Sequence, residues 1–218
     1  MTSQDETATA KPPPRGGLAD KRRAILAGAL SVFAQDGYAR ASIDAIAARA
    51  GVSTRTIYNH FADKAGLFEA VIHSSATRAA DAQIAIVDRH LRKVVDLEAD
   101  LVDFGREWAA RATAEHAEHF ALARQVNAEA GHIPRAAIET WQENGPLRVR
   151  RALAERLTAL RDRGLLNVPG DPERAALHLL LLISAAHPSY RAAAPSDEEV
   201  DAAVAAGVRA FLHGYAAT

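Results

Sequence analysis

The sequence predicts an all-α protein: an N-terminal three-helix unit of helix-turn-helix type, followed by a larger all-helical domain. Three observations carry that expectation. After residue 18 apolar residues recur at helical spacing, and beyond residue 80 nothing alternates as a strand would. Breakers at Gly131, Gly145, Pro146, Gly164, Pro169, Gly170 and Pro188 divide the later runs into helix-sized lengths. Between Ser42 and Lys64, SIDAIAARAGVSTRTIYNHFADK reads as a helix, a tight turn and a second helix.

Residues 1–17, MTSQDETATAKPPPRGG, are polar with three consecutive prolines and are expected to be a disordered tail. The tail is either inert or an arm whose Lys11 and Arg15 reach a DNA minor groove. The first helix is expected over Asp20–Asp36, where Ile25, Ala29, Leu30 and Phe33 form one apolar face and Gly37 ends the run. Lys21, Arg22 and Arg23 oppose the helix dipole in its first turns, so either solvent or phosphates accept them.

Ser42 suits an N-cap, and Ile43, Ile46, Ala47 and Ala50 share one face of the helix it starts. Gly51 supplies the positive φ of a tight turn, Val52 drops between the two helices, and Ser53 caps the second. There Thr54, Arg55, Thr56, Tyr58, Asn59 and His60 offer hydrogen-bonding groups, while Ile57 and Phe61 face the core. Arginine reads guanine, asparagine reads adenine, and threonine meets the thymine methyl or a phosphate, so this face has the chemistry of major-groove readout. A capped helix pair with no DNA role shows the same pattern. Asp63 caps a further helix through Leu67, Phe68, Val71 and Ile72 to about Ala80, with Lys64 beside free N–H groups in its first turn as a phosphate site. The first domain is therefore placed at residues 18–80 and the second at 81–218.

Later helices are expected over Asp81–Val95, Leu97–Ala114, Glu115–Ala130, Pro134–Asn144, Pro146–Arg163, Pro172–Ala186 and Ser196–Tyr215. Pro146 and Pro172 stand at helix starts, where a missing N–H is harmless. Asp171 and Ser196 are plausible caps, Ser196 preceding an acidic first turn. In the middle helices Phe104, Trp108, Phe120, Val126 and Trp141, with polar His119 and Gln125 nearby, either line a ligand cavity or form plain core. Around Leu177, Leu180 and Leu181 one helix is apolar almost all round, and Val204, Val208 and Phe211 mark a strip on the last. This pair is expected to meet a symmetry mate as a four-helix dimer interface.

Composition narrows the function classes. With 49% hydrophobic and 24% charged residues the chain is an ordinary folded one, and no apolar run approaches the roughly 18 residues that span a bilayer. The absence of cysteine excludes disulfides, thiolate catalysis and Cys-type zinc sites, and without a signal-like segment the expected location is cytoplasmic. Residues 11–64 carry nine Lys and Arg against four Asp and Glu, whereas residues 65–218 carry seventeen against twenty-one. The basic end is thus the one holding the helix-turn-helix, as attraction to phosphate requires. His116 and His119 can share a helical face but lack further ligands, so no metal site is expected. No catalytic constellation stands out, and neither an enzyme nor a cofactor is expected.

From Asp20 to Val71 the chain resembles the DNA-binding domain of TetR/AcrR-type repressors, through RAILAGALSVFAQDGY and SIDAIAARAGVSTRTIYNHFADKAGLFEAV. The most specific run is AGVSTRTIYNHFADKAGLF, and the likeness covers about a quarter of the chain. Ala41 departs from it, since many relatives carry a hydroxyl residue there, which puts one phosphate contact in doubt. From Phe120 to Leu182 there is a fainter likeness to the AefR-like branch. The resemblance implies a homodimer on a palindromic double-stranded operator, released by a small apolar effector bound in the second domain. Base readout is assigned to Thr54, Arg55, Thr56 and Asn59, and phosphate contacts to Arg40, Ser42, Ser53, Tyr58, His60 and Lys64. The alternatives are a helical enzyme or carrier, and an activator or architectural DNA-binding factor.

Overall fold

The computed structural model describes residues 17–110, 117–184 and 196–215. The expected tail with Lys11 and Arg15, and also His116 and Pro188, lie outside the described residues. Those residues form α1 (Leu18–Arg40), α2 (Ile43–Ala50), α3 (Thr54–Tyr58), α4 (Lys64–Leu91), α5 (Leu97–Ala110), α6 (Ala117–Ala128), α7 (Arg135–Asn144), α8 (Pro146–Asp162), α9 (Pro172–Ser184) and α10 (Asp197–Tyr215), with no strand among them. No helix of the described residues is long and apolar enough to cross a membrane.

Four helix starts are set by the expected caps. Ser42 accepts from Ala45 N–H at 3.1 Å, Ser53 from Thr56 N–H at 3.1 Å, and Asp63 from Gly66 N–H at 2.8 Å. Ser196 and Glu199 form a reciprocal capping box, each accepting from the other's backbone N–H. Three elements differ from expectation. Gly37 breaks α1 at φ 79°, but a further helical turn to Arg40 follows. The second helix of the pair ends at Tyr58 rather than Phe61, with Asn59 at its C-cap. Two helices expected to part near residue 80 are one 28-residue helix, α4, because no glycine or proline interrupts the chain between Gly66 and Leu91. Its actual stop lies before Asp96, which accepts from Ala99 N–H, while Asp100 accepts from the N–H groups of Val95 and Asp96.

Burial divides into two apolar clusters. One gathers Ile25, Phe33, Ile46, Ile57, Leu67, Phe68 and Ile72 from α1–α4 and is completed by Leu122, Val126, Ile133 and Ala137 from α6, the following turn and α7. The other gathers Val87, Leu101, Phe104, Leu153, Leu157, Leu179, Ile183, Val204, Val208 and Phe211 from α4, α5 and α8–α10. Helix α4, about 42 Å long at roughly 1.5 Å per residue, contributes to both. Along it Arg148 pairs with Asp81 and Arg156 with Asp88, each at 2.7 Å. These half-exposed pairs fix how α8 lies on α4 more than they stabilise it. Between α4 and α5, burial alone would raise the Glu107 carboxyl, but hydrogen bonds from His90 and Arg89 outweigh it and hold the group below its ordinary pKa.

Two glycines let α10 come close. A Cβ at Gly105 would lie 2.5 Å from Val204 Cγ1, and one at Gly207 would lie 2.5 Å from the Leu182 carbonyl oxygen. The close approach turns the apolar strip of α10 inward. Val204, Val208 and Phe211 are fully buried within the single chain, which corrects their assignment to a dimer interface. Leu177 and Leu181, by contrast, are 39% and 61% exposed, and Leu180 is half-buried. Gly207→Ala is expected to lose about 1–3 kcal/mol in denaturant unfolding through overpacking. Gly214→Ala, whose Cβ meets nothing within 4 Å, is expected to match the parent protein or gain up to about 1 kcal/mol.

Candidate nucleic-acid interface

The turn between α2 and α3 follows from Gly51, whose φ of 66° and ψ of 33° let its own N–H and that of Val52 close onto the Ala48 and Ala47 carbonyls. Ile46 and Ile57, both buried, press the two helices onto α1 and α4. This packing leaves one face of α3 and its C-terminal turn outward. Arg55, Tyr58 and Asn59 are exposed there, Tyr58 to 54%, and Thr54 and His60 are half-buried beside them. Thr56 is half-buried as well, its hydroxyl 2.9 Å from that of Ser53. The hydroxyls of Ser42 and Ser53 serve as caps, so each keeps only part of its hydrogen-bonding capacity for a phosphate.

Three arginines at or beside this surface keep their charge free of a carboxylate partner. Among the described residues Arg40, Arg49 and Arg55 form no ion pair, as is also true of Arg78, Arg92, Arg124, Arg163, Arg174 and Arg209, whereas Arg89, Arg106, Arg135, Arg148, Arg150, Arg151, Arg156 and Arg161 each have a carboxylate partner. Cations without partners on an exposed helix pair suit a polyanion. The start of α1 is less free than its composition implies. Arg23 pairs with Asp20 at 2.5 Å, and the Arg22 guanidinium lies 5.3 Å from the centroid of the Phe61 ring.

Lys64 has a role that its sequence position did not reveal. Its Nζ donates to the carbonyls of Ala39 at 3.2 Å and Ala41 at 3.0 Å and lies 4.8 Å from the Tyr38 ring centroid. It ties the start of α4 to the turn between α1 and α2, and one N–H remains for a phosphate. Tyr38 in turn packs on Phe68, with centroids 4.7 Å apart. From α6 and the turn after it come three further polar contacts, Glu118 with Ser31 at 2.5 Å, His119 with Ser75 at 2.9 Å and Glu129 with Ala39 N–H at 3.0 Å. Residues 44 to 90 positions apart carry no local pattern that marks them as partners.

The seven cavity candidates do not gather into one lining. Phe104 and Trp108 are buried in the cluster of α5 and α8–α10, with ring centroids 5.6 Å apart. Val126 and Trp141 belong to the cluster beneath the helix-turn-helix, and Gln125 lies near Gly37. His119 and Phe120 are half-buried neighbours on α6. An open recess of about 420 Å³ is lined instead by Arg22, Gly66, Glu69, Ala70, His73, Ser74, Thr140 and Asn144.

A glycine-turned helix pair with a polar outward face, unpaired arginines and a larger helical domain behind it defines a helix-turn-helix transcriptional regulator. Sequence comparison agrees. Residues 25–71 match the family described as bacterial regulatory proteins, tetR family, and residues 99–217 match the C-terminal domain of AefR-like transcriptional repressors. A TetR-family transcriptional regulator from Mesorhizobium loti MAFF303099 is 32% identical with a TM-score of 0.78, the match covering 91% of this chain and 98% of that one. The flavonoid-responsive regulator FrrA is 28% identical with a TM-score of 0.66, over the same shares of the two chains. A TetR-family regulator from Pseudomonas syringae pv. tomato str. DC3000 is 27% identical with a TM-score of 0.68, again over 91% and 98%. The chain belongs to the TetR family of DNA-binding transcriptional regulators. Members of this family are transcription factors rather than enzymes, generally dimeric and ligand-binding.

Lys64→Met keeps the aliphatic stem and removes the ammonium. It is expected to lower stability by about 1 kcal/mol and to weaken DNA binding together with it. Arg55→Met, on an exposed side chain, is expected to weaken DNA binding while leaving the thermal unfolding midpoint unchanged.

Proposed function

We propose that this protein is a homodimeric repressor that acts in the cytoplasm, holds a near-palindromic operator and is released from it by a small apolar ligand. The observation that carries DNA reading is the exposed face of α3, where Arg55, Tyr58 and Asn59 stand clear beside half-buried Thr54. Base readout falls to Thr54, Arg55 and Asn59, with Thr56 in support. Phosphate contacts fall to Arg40, Ser42, Ser53, Tyr58, His60 and Lys64. Two such surfaces on a two-fold axis enter successive major grooves, so the half-sites lie about one helical turn apart or somewhat wider.

Dimerisation is supported by Leu177 and Leu181, which stand one helical turn apart on α9 and remain partly exposed in the single chain. The buried strip of α10 backs this face and does not form it. Effector binding is supported by family membership and by FrrA, named for its response to flavonoids. We assign the effector to the helical domain beyond the middle of α4.

Selection of binding sites from a random duplex library at near-physiological salt is expected to return a palindromic motif. Arg55→Ala is expected to lose about 1–3 kcal/mol and to relax the preference at one base position. Recovery of salt-sensitive binding without a motif contradicts the reading. Leu181→Glu is expected to convert the dimer to a monomer in sedimentation velocity and to abolish tight operator binding. An unchanged dimer would move the interface away from α9.

A further inference from the structure

The turn that joins α1 to α2 is held by a residue from far down the chain. At Gly37 the backbone leaves helical values, with φ 79° and ψ 173°, so the helical ladder of α1 is interrupted just before Ala39. The Ala39 N–H then donates to Glu129 Oε2 at 3.0 Å. Position 37 favours glycine because a φ of 79° strains any L side chain, and a Cβ there would also meet the same carboxylate. On its other side the residue is gripped by Lys64, whose ammonium takes the carbonyl oxygens of Ala39 and Ala41. Glu129 is itself fixed, its N–H bonded to the Gln125 carbonyl at 2.9 Å and its own carbonyl accepting from His132 N–H at 2.7 Å.

Ser42, the N-cap of α2, follows Ala41 directly, so whatever sets the turn also sets where α2 begins and how α3 is presented. We propose that Glu129 is a positioning residue for operator binding: from the end of α6 it fixes the α1–α2 turn, and through it the seat of the DNA-reading helices. The inference rests on the operator-binding function proposed above and adds a named route for its regulation. Glu118 and His119 hold the beginning of α6 on Ser31 and Ser75, while Glu129 alone of these three reaches the turn itself. A shift at the end of α6 therefore changes the turn and, through it, the seat of α2 and α3.

The test compares full-length Glu129→Ala, Glu129→Asp and Glu129→Gln with the parent protein, titrating the selected operator duplex at several salt concentrations. Aspartate keeps the charge but falls one methylene short of Ala39 N–H, whereas glutamine keeps an acceptor oxygen in reach. Ala and Asp are expected to bind about tenfold more weakly, with a salt slope shallower by about one contact, and Gln to stay within about threefold of the parent. Should Glu129→Ala fail to fold, the contrast between Asp and Gln decides alone. If Asp matches the parent, or if Ala and Gln both bind more tightly because a negative charge has left the DNA side, the inference is overturned. A parent protein that prefers no duplex overturns the operator-binding function beneath it and this inference as well. Parent binding with an unchanged Asp variant overturns this inference only.

Discussion

Five residues, Gly37 to Ala41, carry the connection on which the DNA-reading surface depends. A helix that ran straight through them would carry α2 and α3 elsewhere, and a free loop would leave them unfixed. The chain breaks at the positive φ of Gly37 and then ties the freed backbone groups to side chains from two other helices, Lys64 of α4 and Glu129 beyond α6. An interrupted ladder leaves polar groups that need partners, and the partners chosen here determine geometry as well as satisfying it. Tyr38 adds apolar weight to the same turn by packing on Phe68 beneath the Lys64 ammonium.

The two apolar clusters extend that dependence through the molecule. Because α6 and α7 supply Leu122, Val126, Ile133 and Ala137 to the cluster under the helix-turn-helix, the N-terminal unit has no core wholly its own. Because α4 enters both clusters without interruption, displacement of one end is felt at the other. The second cluster has a different task. Close approach at Gly105 and Gly207 draws α10 inward, while Leu177 and Leu181 of α9 stay exposed.

Much of this was legible in the sequence where the determinant is local. The caps at Ser42, Ser53, Asp63 and Ser196 and the turn at Gly51 act within three or four residues, and each is found as the residue types imply. Helical periodicity gave the class of fold for the same reason. Two helices are expected where α4 is one, although no glycine or proline between Gly66 and Leu91 supplies a stop. The orientation of α10 was missed because an apolar strip does not say whether its cover comes from the same chain or another, and two glycines settled that. Lys64 was assigned to phosphate because a cation at a helix start suits an anion, yet backbone carbonyls brought close by the fold occupy it first. Glu129 left no trace, since its partner lies 90 residues earlier. The apolar residues of the middle helices were ambiguous between core and cavity, and their division between two clusters depends on helix packing that a linear pattern does not encode.

Through the α1–α2 turn the reading helices and α6 are expected to move as one mechanical unit. Amide hydrogen exchange of the full chain with and without its operator duplex measures this directly, because local opening is reported peptide by peptide. The account expects slower exchange on DNA binding across α2 and α3, together with slower exchange in residues 37–41 and at the end of α6. Slowing confined to residues 42–64, with α6 and the turn unchanged, would contradict it.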